Sequence, residues 1–282
     1  MSAQTASTEA AIPASHPMKQ FIRKLAMRLL PLAPAVLLLL AWYVYWLIAQ
    51  PPMSTLPPPT RVLRILVSGF ADGTLIFHAL ASLERLLLGM VAGVASGIIL
   101  GFAAGLYRRV AEFTMPLAVF FSALSGIVWL PLAIGWLGIG TTLVVFIIWN
   151  TVFFLVFSNV TLGVQLVSEE LEQGIASLGG GRWRTIWDVT VPGAMPYIMS
   201  GIRSGLGFGW RALIAAELIG ASTGLGQLIY RSAEFHRTDI ILAGSLLIGF
   251  IALIMDRWLL APLERRTIEK WGLVTSTSQK DW

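Results

Sequence analysis

No charged side chain lies between Glu112 and Glu169: positions 113 to 168 hold not one Asp, Glu, Lys or Arg. A hydrocarbon core of ~30 Å takes ~20 apolar residues for each helical crossing. The run therefore has room for two membrane spans, broken near the glycine-rich GWLGIGTT. The same ruler, applied to the whole chain, predicts an all-α polytopic membrane protein. Its six spans fall near residues 29–49, 83–106, 113–134, 142–166, 197–221 and 238–256. Residues 1–28 and 262–282 are polar tails, PPMSTLPPP after the first span is extramembrane, and 169–192 form a polar loop. Composition agrees: the chain is 56% hydrophobic but only 12% charged, against roughly a quarter charged in globular proteins.

A net charge of +5 and a pI near 9.9 invite a nucleic-acid reading, but in a membrane protein basic residues report topology. Thirteen of the twenty Lys and Arg lie before the first span, in the 108–109 turn, in the 169–192 loop or after the sixth span, and five lie on the other side. The positive-inside rule then places both termini and that loop in the cytoplasm, and the basicity reports orientation, not a nucleic-acid partner. The apolar run after Arg28 is too long for a cleaved signal peptide. Without cysteine there is no disulfide and no thiolate chemistry.

Gly89, Gly93, Gly97, Gly101 and Gly105 recur at every fourth position of the second span, and Gly201, Gly205 and Gly209 repeat the device in the fifth. Small residues four apart strip one helical face of bulk and let a neighbouring helix approach, which is what drives association in lipid.

The enzyme inventory is poor. His16 lies in the tail, His78 and His236 fall near span ends, and no HExxH or paired-carboxylate motif occurs. Ser125 in ALSG lacks the glycine before it and a later span histidine that an intramembrane serine protease would need. No metal site is expected. No Gly-Lys pair occurs, so there is no phosphate loop, and any ATP must be hydrolysed by another chain.

The 169–192 loop is more than a connector. Ser168 is placed to cap a short helix opening with Glu169 and Glu170, whose apolar stripe is Leu171, Ile175 and Leu178. Gly179, Gly180 and Gly181 end it, and a second short helix brings Trp183 and Trp187 four residues apart beside Arg182 and Arg184. Such a segment either lies in the membrane interface or docks its ridge into a groove on a cytoplasmic partner.

The stretch QGIASLGGGRWRTIWDVTVP resembles the signature loop of binding-protein-dependent ABC importer permeases: Glu-Ala-Ala, three residues, Gly, nine residues, Ile, one residue, Leu-Pro. Gly179 and Pro192 match the fixed Gly and Pro, Val189 and Val191 stand for Ile and Leu, and Gln173, Gly174 and Ile175 replace Glu-Ala-Ala. SLERLLLGMVAGVASGIILG, WLPLAIGWLGIG, VPGAMPYIMSGIRSGLGFGW, ALIAAELIGASTGLGQLI and Trp271 extend the likeness to permeases of the nitrate, taurine and alkanesulfonate type, over roughly residues 57–271. Where members usually carry prolines and an Arg before Trp-Leu-Pro-Leu, this chain has Ser122, Ala123, Ser125 and Gly126. An altered substrate path is expected there.

The resemblance implies a type I importer permease that binds no cofactor itself. ATP and Mg would be bound by a cytoplasmic ATPase dimer, a periplasmic or lipid-anchored binding protein would deliver a small anion, and a second copy would complete the pore. It also implies that Ile175, Leu178, Gly179, Arg182, Trp183 and Trp187 couple the chain to the ATPase. The expected pathway residues are Trp129 of WLPL and Arg203, Trp210, Arg211 and Glu217 of the fifth span. Ionisable groups at membrane depth cost ~2.5–3.5 kcal/mol on insertion scales, so they face the bundle interior or a wet cavity. Arg203, Trp210 and Glu217 are seven apart and share a face; Glu217 either lines the path or neutralises a neighbouring Arg such as Arg85. Arg211, outside the shared pattern, is the candidate for meeting substrate. Six glycine-rich spans would equally suit a stand-alone channel or a membrane scaffold.

Overall fold

A helix with no polar face must be covered on all sides, and Thr141–Gln165, named α6 below, is such a helix. The computed structural model describes residues 33–124 and 126–262, and every regular element among them is helical. In chain order these are α1 Ala33–Ala49, α2 Pro59–Ala71, α3 Thr74–Leu106, α4 Arg108–Ala123, a 3-10 turn Gly126–Trp129, α5 Leu130–Leu137, α6, α7 Glu169–Ser177, α8 Arg182–Thr185, α9 Val191–Gly220, α10 Leu225–Glu234 and α11 Thr238–Ile254. Among the described residues, those up to Pro59 form one unit and those from Thr60 onward another. In the first, α1 is apolar throughout and has 17 residues; the start of the first expected span and most of both tails lie outside the described residues.

In the second unit α6 is the axis, packed most extensively against α3 and α9. The expected glycine stripe lies on this contact. A Cβ added at Gly89, Gly93, Gly97, Gly101 or Gly105 would fall 2.5–2.9 Å from a side-chain carbon of Ile148, Val152, Val156, Val160 or Val164 respectively, so each glycine admits one β-branched residue. On the other flank Gly201 faces Val156 and Asn159, while Gly205 and Gly209 face Val152. Hydrogen bonds stitch the α3–α6 seam: Trp149 Nε1 donates to Ser96 Oγ at 3.1 Å, and Thr161 Oγ1 to the Gly101 carbonyl at 3.3 Å.

The boundaries depart from the expected ones in identifiable ways. Helix α3 starts at Thr74 and not near 83, and ahead of its first turn Asp72 Oδ1 accepts from Thr74 N at 2.9 Å. The third span is broken: α4 and the Gly126–Leu137 segment meet at 89°, where the 3-10 turn interrupts the α-helical pattern ahead of Pro131. After α5, Gly138 at φ 70° and Gly140 at φ 154° make the expected turn into α6. The polar loop ends earlier than Pro192. From Arg182 to Gly220 the chain is one helix, widened into a π turn at Ile186–Thr190, where Pro192 has no N–H to give to the carbonyl of residue 188. Helix α11 continues through another widened turn to Leu260. By length and composition three described helices can cross a membrane alone, and five crossings result if each bent pair counts as one.

The α3–α6 seam leads to a stability expectation. Gly97→Ala introduces a Cβ at 2.9 Å from Val156 Cβ and 3.1 Å from the Phe153 carbonyl, overpacking of a kind that costs about 1–3 kcal/mol, and Gly97→Leu costs more. Gly249→Ala, with open space around it, is expected to be neutral. Thermal unfolding in detergent compares the three, and equal midpoints would show that the seam tolerates bulk.

Candidate functional site

Three sites emerge along the bundle, one at each end and one between. At the end where α3 begins and α9 finishes, a buried ion pair closes the core. Arg85 of α3 reaches Glu217 of α9, Nη1 to Oε1 2.8 Å, and both side chains are almost fully enclosed. Further donors satisfy the carboxylate: Ser82 Oγ at 2.8 and 2.9 Å and Gly226 N at 2.9 Å. Arg85 in turn donates to the Thr223 carbonyl at 2.6 Å, to Thr223 Oγ1 at 2.7 Å and to Thr141 Oγ1 at 3.3 Å. His78 Nδ1 accepts from Gly224 N at 3.1 Å. A Cβ on Gly224, at φ 120°, would collide with the Glu217 carboxylate, so the α9–α10 turn needs glycine there. Between the two roles open to Glu217, the geometry favours neutralising Arg85 and tying α3, α6, α9 and α10 together. Ser82, Thr223 and Gly224 carry no sequence signal of their own and belong to this network only because the turn folds back onto α3.

Arg203 does not share the buried face of Trp210 and Glu217. Its side chain is 49% exposed and meets Asp256 at 3.3 Å. Seven residues fall about 20° short of two full turns, and over fourteen residues that drift carries Arg203 past the edge of the buried arc. Trp210 is sequestered in the core, not on a cavity wall, and its indole N–H has no partner among the described residues. Trp129 likewise packs against the core, 5.6 Å from the Phe121 ring.

Arg211 lies elsewhere. It is exposed, about 100° round the helix from Trp210, and opens onto a cleft of about 500 Å³ between α4, α6, α9 and the 3-10 turn. Its guanidinium sits 5.1 Å from the Phe208 ring centroid, and among the described residues no carboxylate pairs with it. Asn150, Thr151 and Phe154 line the same cleft. So do Ser122, Ala123 and Gly126, the small residues where an altered path was expected. A Cβ at Gly126 would lie 2.9 Å from Thr151 Oγ1, so this wall needs glycine to come so close.

At the opposite end the 169–190 segment turns on its glycines. Gly180 N donates to the Ile175 carbonyl at 2.9 Å and Gly179 N to the Ala176 carbonyl at 3.0 Å, with Gly179 at φ 79°; this is a Schellman ending, which requires a left-handed residue. Leu178, Trp183 and Trp187 stand out, 83%, 76% and 64% exposed. Ile175 differs from that expected ridge: it tucks under the turn, where a Cβ on Gly180 would strike it. Ser168 occupies the cap position of α7 but makes no side-chain capping bond. Arg182 points back toward the bundle, its guanidinium 4.9 Å from the Tyr107 ring at the end of α3, and Arg184 pairs with Asp188 at 3.2 Å. No cluster of potential metal ligands occurs among the described residues.

Residues 93–268 match the family described as "Binding-protein-dependent transport system inner membrane component". The taurine transport system permease protein TauC of Escherichia coli is 39% identical over 237 residues, 82% of this chain and 86% of that one. The nitrate import permease protein NrtB of Synechocystis sp. is 27% identical over 235 residues, 80% and 86% of the two chains. Among solved structures, the inward-facing MetNI methionine ABC transporter aligns over 74% of this chain and 97% of that one, at TM-score 0.47 and 16% identity.

The ion pair makes a direct prediction. Glu217→Leu or Arg85→Leu leaves a buried group without its partner and is expected to cost about 3–5 kcal/mol. The double variant Arg85→Leu with Glu217→Leu is expected to lose far less than the sum. Unfolding midpoints in detergent supply the cycle; additive losses would mean that the two charges do not stabilise one another.

Proposed function

The chain belongs to the family of binding-protein-dependent transport system inner membrane components and is the permease subunit of an ATP-binding cassette importer; from that premise we propose that its cargo is a small anion and that Arg211 meets it. The observation that carries this is the uncompensated guanidinium. Arg211 stands about 14 Å from the end of α9 at 1.5 Å per residue, at membrane depth. Arg85 and Arg203 each have a carboxylate, and Arg211 has none among the described residues. A cation held there without a counter-ion lowers the energy of an anion entering the cleft. Taurine and nitrate, for which two relatives are named, both present negatively charged oxygens.

The remaining parts of the proposal follow from the exposed ridge. Leu178, Trp183 and Trp187 dock into a cytoplasmic ATPase dimer that holds ATP and Mg, both chain termini lie on that side, and a second copy of the chain completes the pathway. A periplasmic or lipid-anchored protein delivers the anion. Closure of the ATPases pushes on the ridge and rocks the bundle halves between two packed states. Because α8, the π turn and α9 form one helix, a push at Trp187 travels along its axis toward Arg211.

Two variants test separate parts. Gly179→Val places a β-branched residue at φ 79°, strained by about 1–2 kcal/mol, and is expected to uncouple ATP hydrolysis from transport without unfolding the bundle; transport at the normal rate would remove the coupling role. Arg211→Met is expected to reduce uptake by reconstituted importer at least tenfold while basal ATPase activity and assembly persist. Unchanged uptake by Arg211→Met would refute the anion contact.

A further inference from the structure

The cleft around Arg211 supports a narrower statement about the cargo, one that rests on the anion reading above. Its wall is mostly carbon. Phe121 and Phe154 lie 5.9 Å apart between ring centroids with 22° between planes, Phe208 underlies the guanidinium, and Leu124, Ile127 and Leu155 add to the apolar lining. Among the described residues the polar side chains of the lining are Ser122, Asn150, Thr151 and Arg211. Two of these are already engaged: Ser122 Oγ donates to the Val119 carbonyl at 3.0 Å and Thr151 Oγ1 to the Ile147 carbonyl at 3.0 Å. Asn150 is 8% exposed, and its carboxamide has no hydrogen-bond partner among the described residues. The donors left for a ligand are therefore the Arg211 guanidinium and the Asn150 amide.

An inorganic oxyanion of a few atoms could use those donors, yet it would leave most of about 500 Å³ filled with water against phenyl rings, forgoing the apolar burial that gives small-molecule sites their affinity. A zwitterion would bring an ammonium group beside Arg211, and among the described residues no carboxylate lines the cleft to balance it. A flat aromatic body avoids both penalties. It can lie offset or edge-on to the phenylalanines at centroid separations of about 4.5–7 Å, with its charged oxygens toward Arg211 and Asn150, where charge-assisted hydrogen bonds are strongest.

We propose that the cleft of Arg211, Asn150, Phe121, Phe154 and Phe208 binds an aromatic monoanion, a sulfonate or carboxylate carried on a planar ring. The full-length permease, purified in detergent, is titrated calorimetrically with benzenesulfonate, nitrate, taurine and the neutral benzenesulfonamide. Benzenesulfonate is expected to bind at least about tenfold more tightly than nitrate or taurine, and benzenesulfonamide to bind at least as weakly as nitrate. Phe154→Leu and, independently, Phe121→Leu are expected to bring benzenesulfonate down to the level of nitrate while leaving nitrate unchanged. Two variants are used so that the loss of fold in one still leaves the other as a test. Equal affinity for nitrate and benzenesulfonate overturns the aromatic body but spares the anion reading. Benzenesulfonamide bound as tightly as benzenesulfonate overturns the anion reading itself, and binding of none of the four overturns both.

Discussion

The approach of α3 and α9 to α6 sets the geometry of everything else. Five glycines on α3 stand opposite Ile148, Val152, Val156, Val160 and Val164, and the match is one to one at intervals of four. β-Branched side chains have little torsional freedom in a helix, so each fills its notch in one orientation and the pair acquires a single register. A slip of one residue would set side chain against side chain along the whole seam. In lipid, where apolar surface gains nothing by leaving the solvent, such van der Waals fit is the main source of helix association.

That register reaches both functional ends. With Gly89 held against Ile148, Arg85 comes level with Thr141 at the start of α6 and with Glu217 on α9. With Gly105 held against Val164, Tyr107 comes under Arg182 of the 169–190 segment. The ion pair and the segment's anchor are thus opposite ends of one rigid contact. Between them Arg211 lies on the side of α9 away from this seam, which is why it borders a cleft and not the core.

The coupling segment and the helix seam differ in what they ask of glycine. At Gly179 the backbone itself needs a left-handed residue to close the α7 turn, whereas at Gly97 the backbone is ordinary helix and only the neighbour forbids a side chain. In the first case strain would perturb the segment that meets a partner and leave the bundle intact. In the second it would separate the helices that build the bundle.

The all-α membrane class, the glycine stripes, the 138–140 turn and the glycine ending of α7 were legible in the sequence because each depends on local composition or spacing: apolar length, four-residue recurrence, the need for positive φ. The pairing of Glu217 with Arg85 was legible only as one of two roles, since a carboxylate at membrane depth demands a partner but does not say which. Helical spacing placed Arg203 beside Glu217, and the drift of a 3.6-residue turn undid that. The broken third span, the unbroken helix from Arg182 to Gly220 and the engagement of Arg182 with Tyr107 depend on where distant segments come to rest. So does the cleft, which exists because Ser122, Ala123 and Gly126 leave room beside Arg211. The sequence by itself determined which faces must be covered and which turns need glycine; only the tertiary structure decided which side chains meet across them, because contacts between residues 53 to 146 positions apart are set by helix packing and not by the local chain.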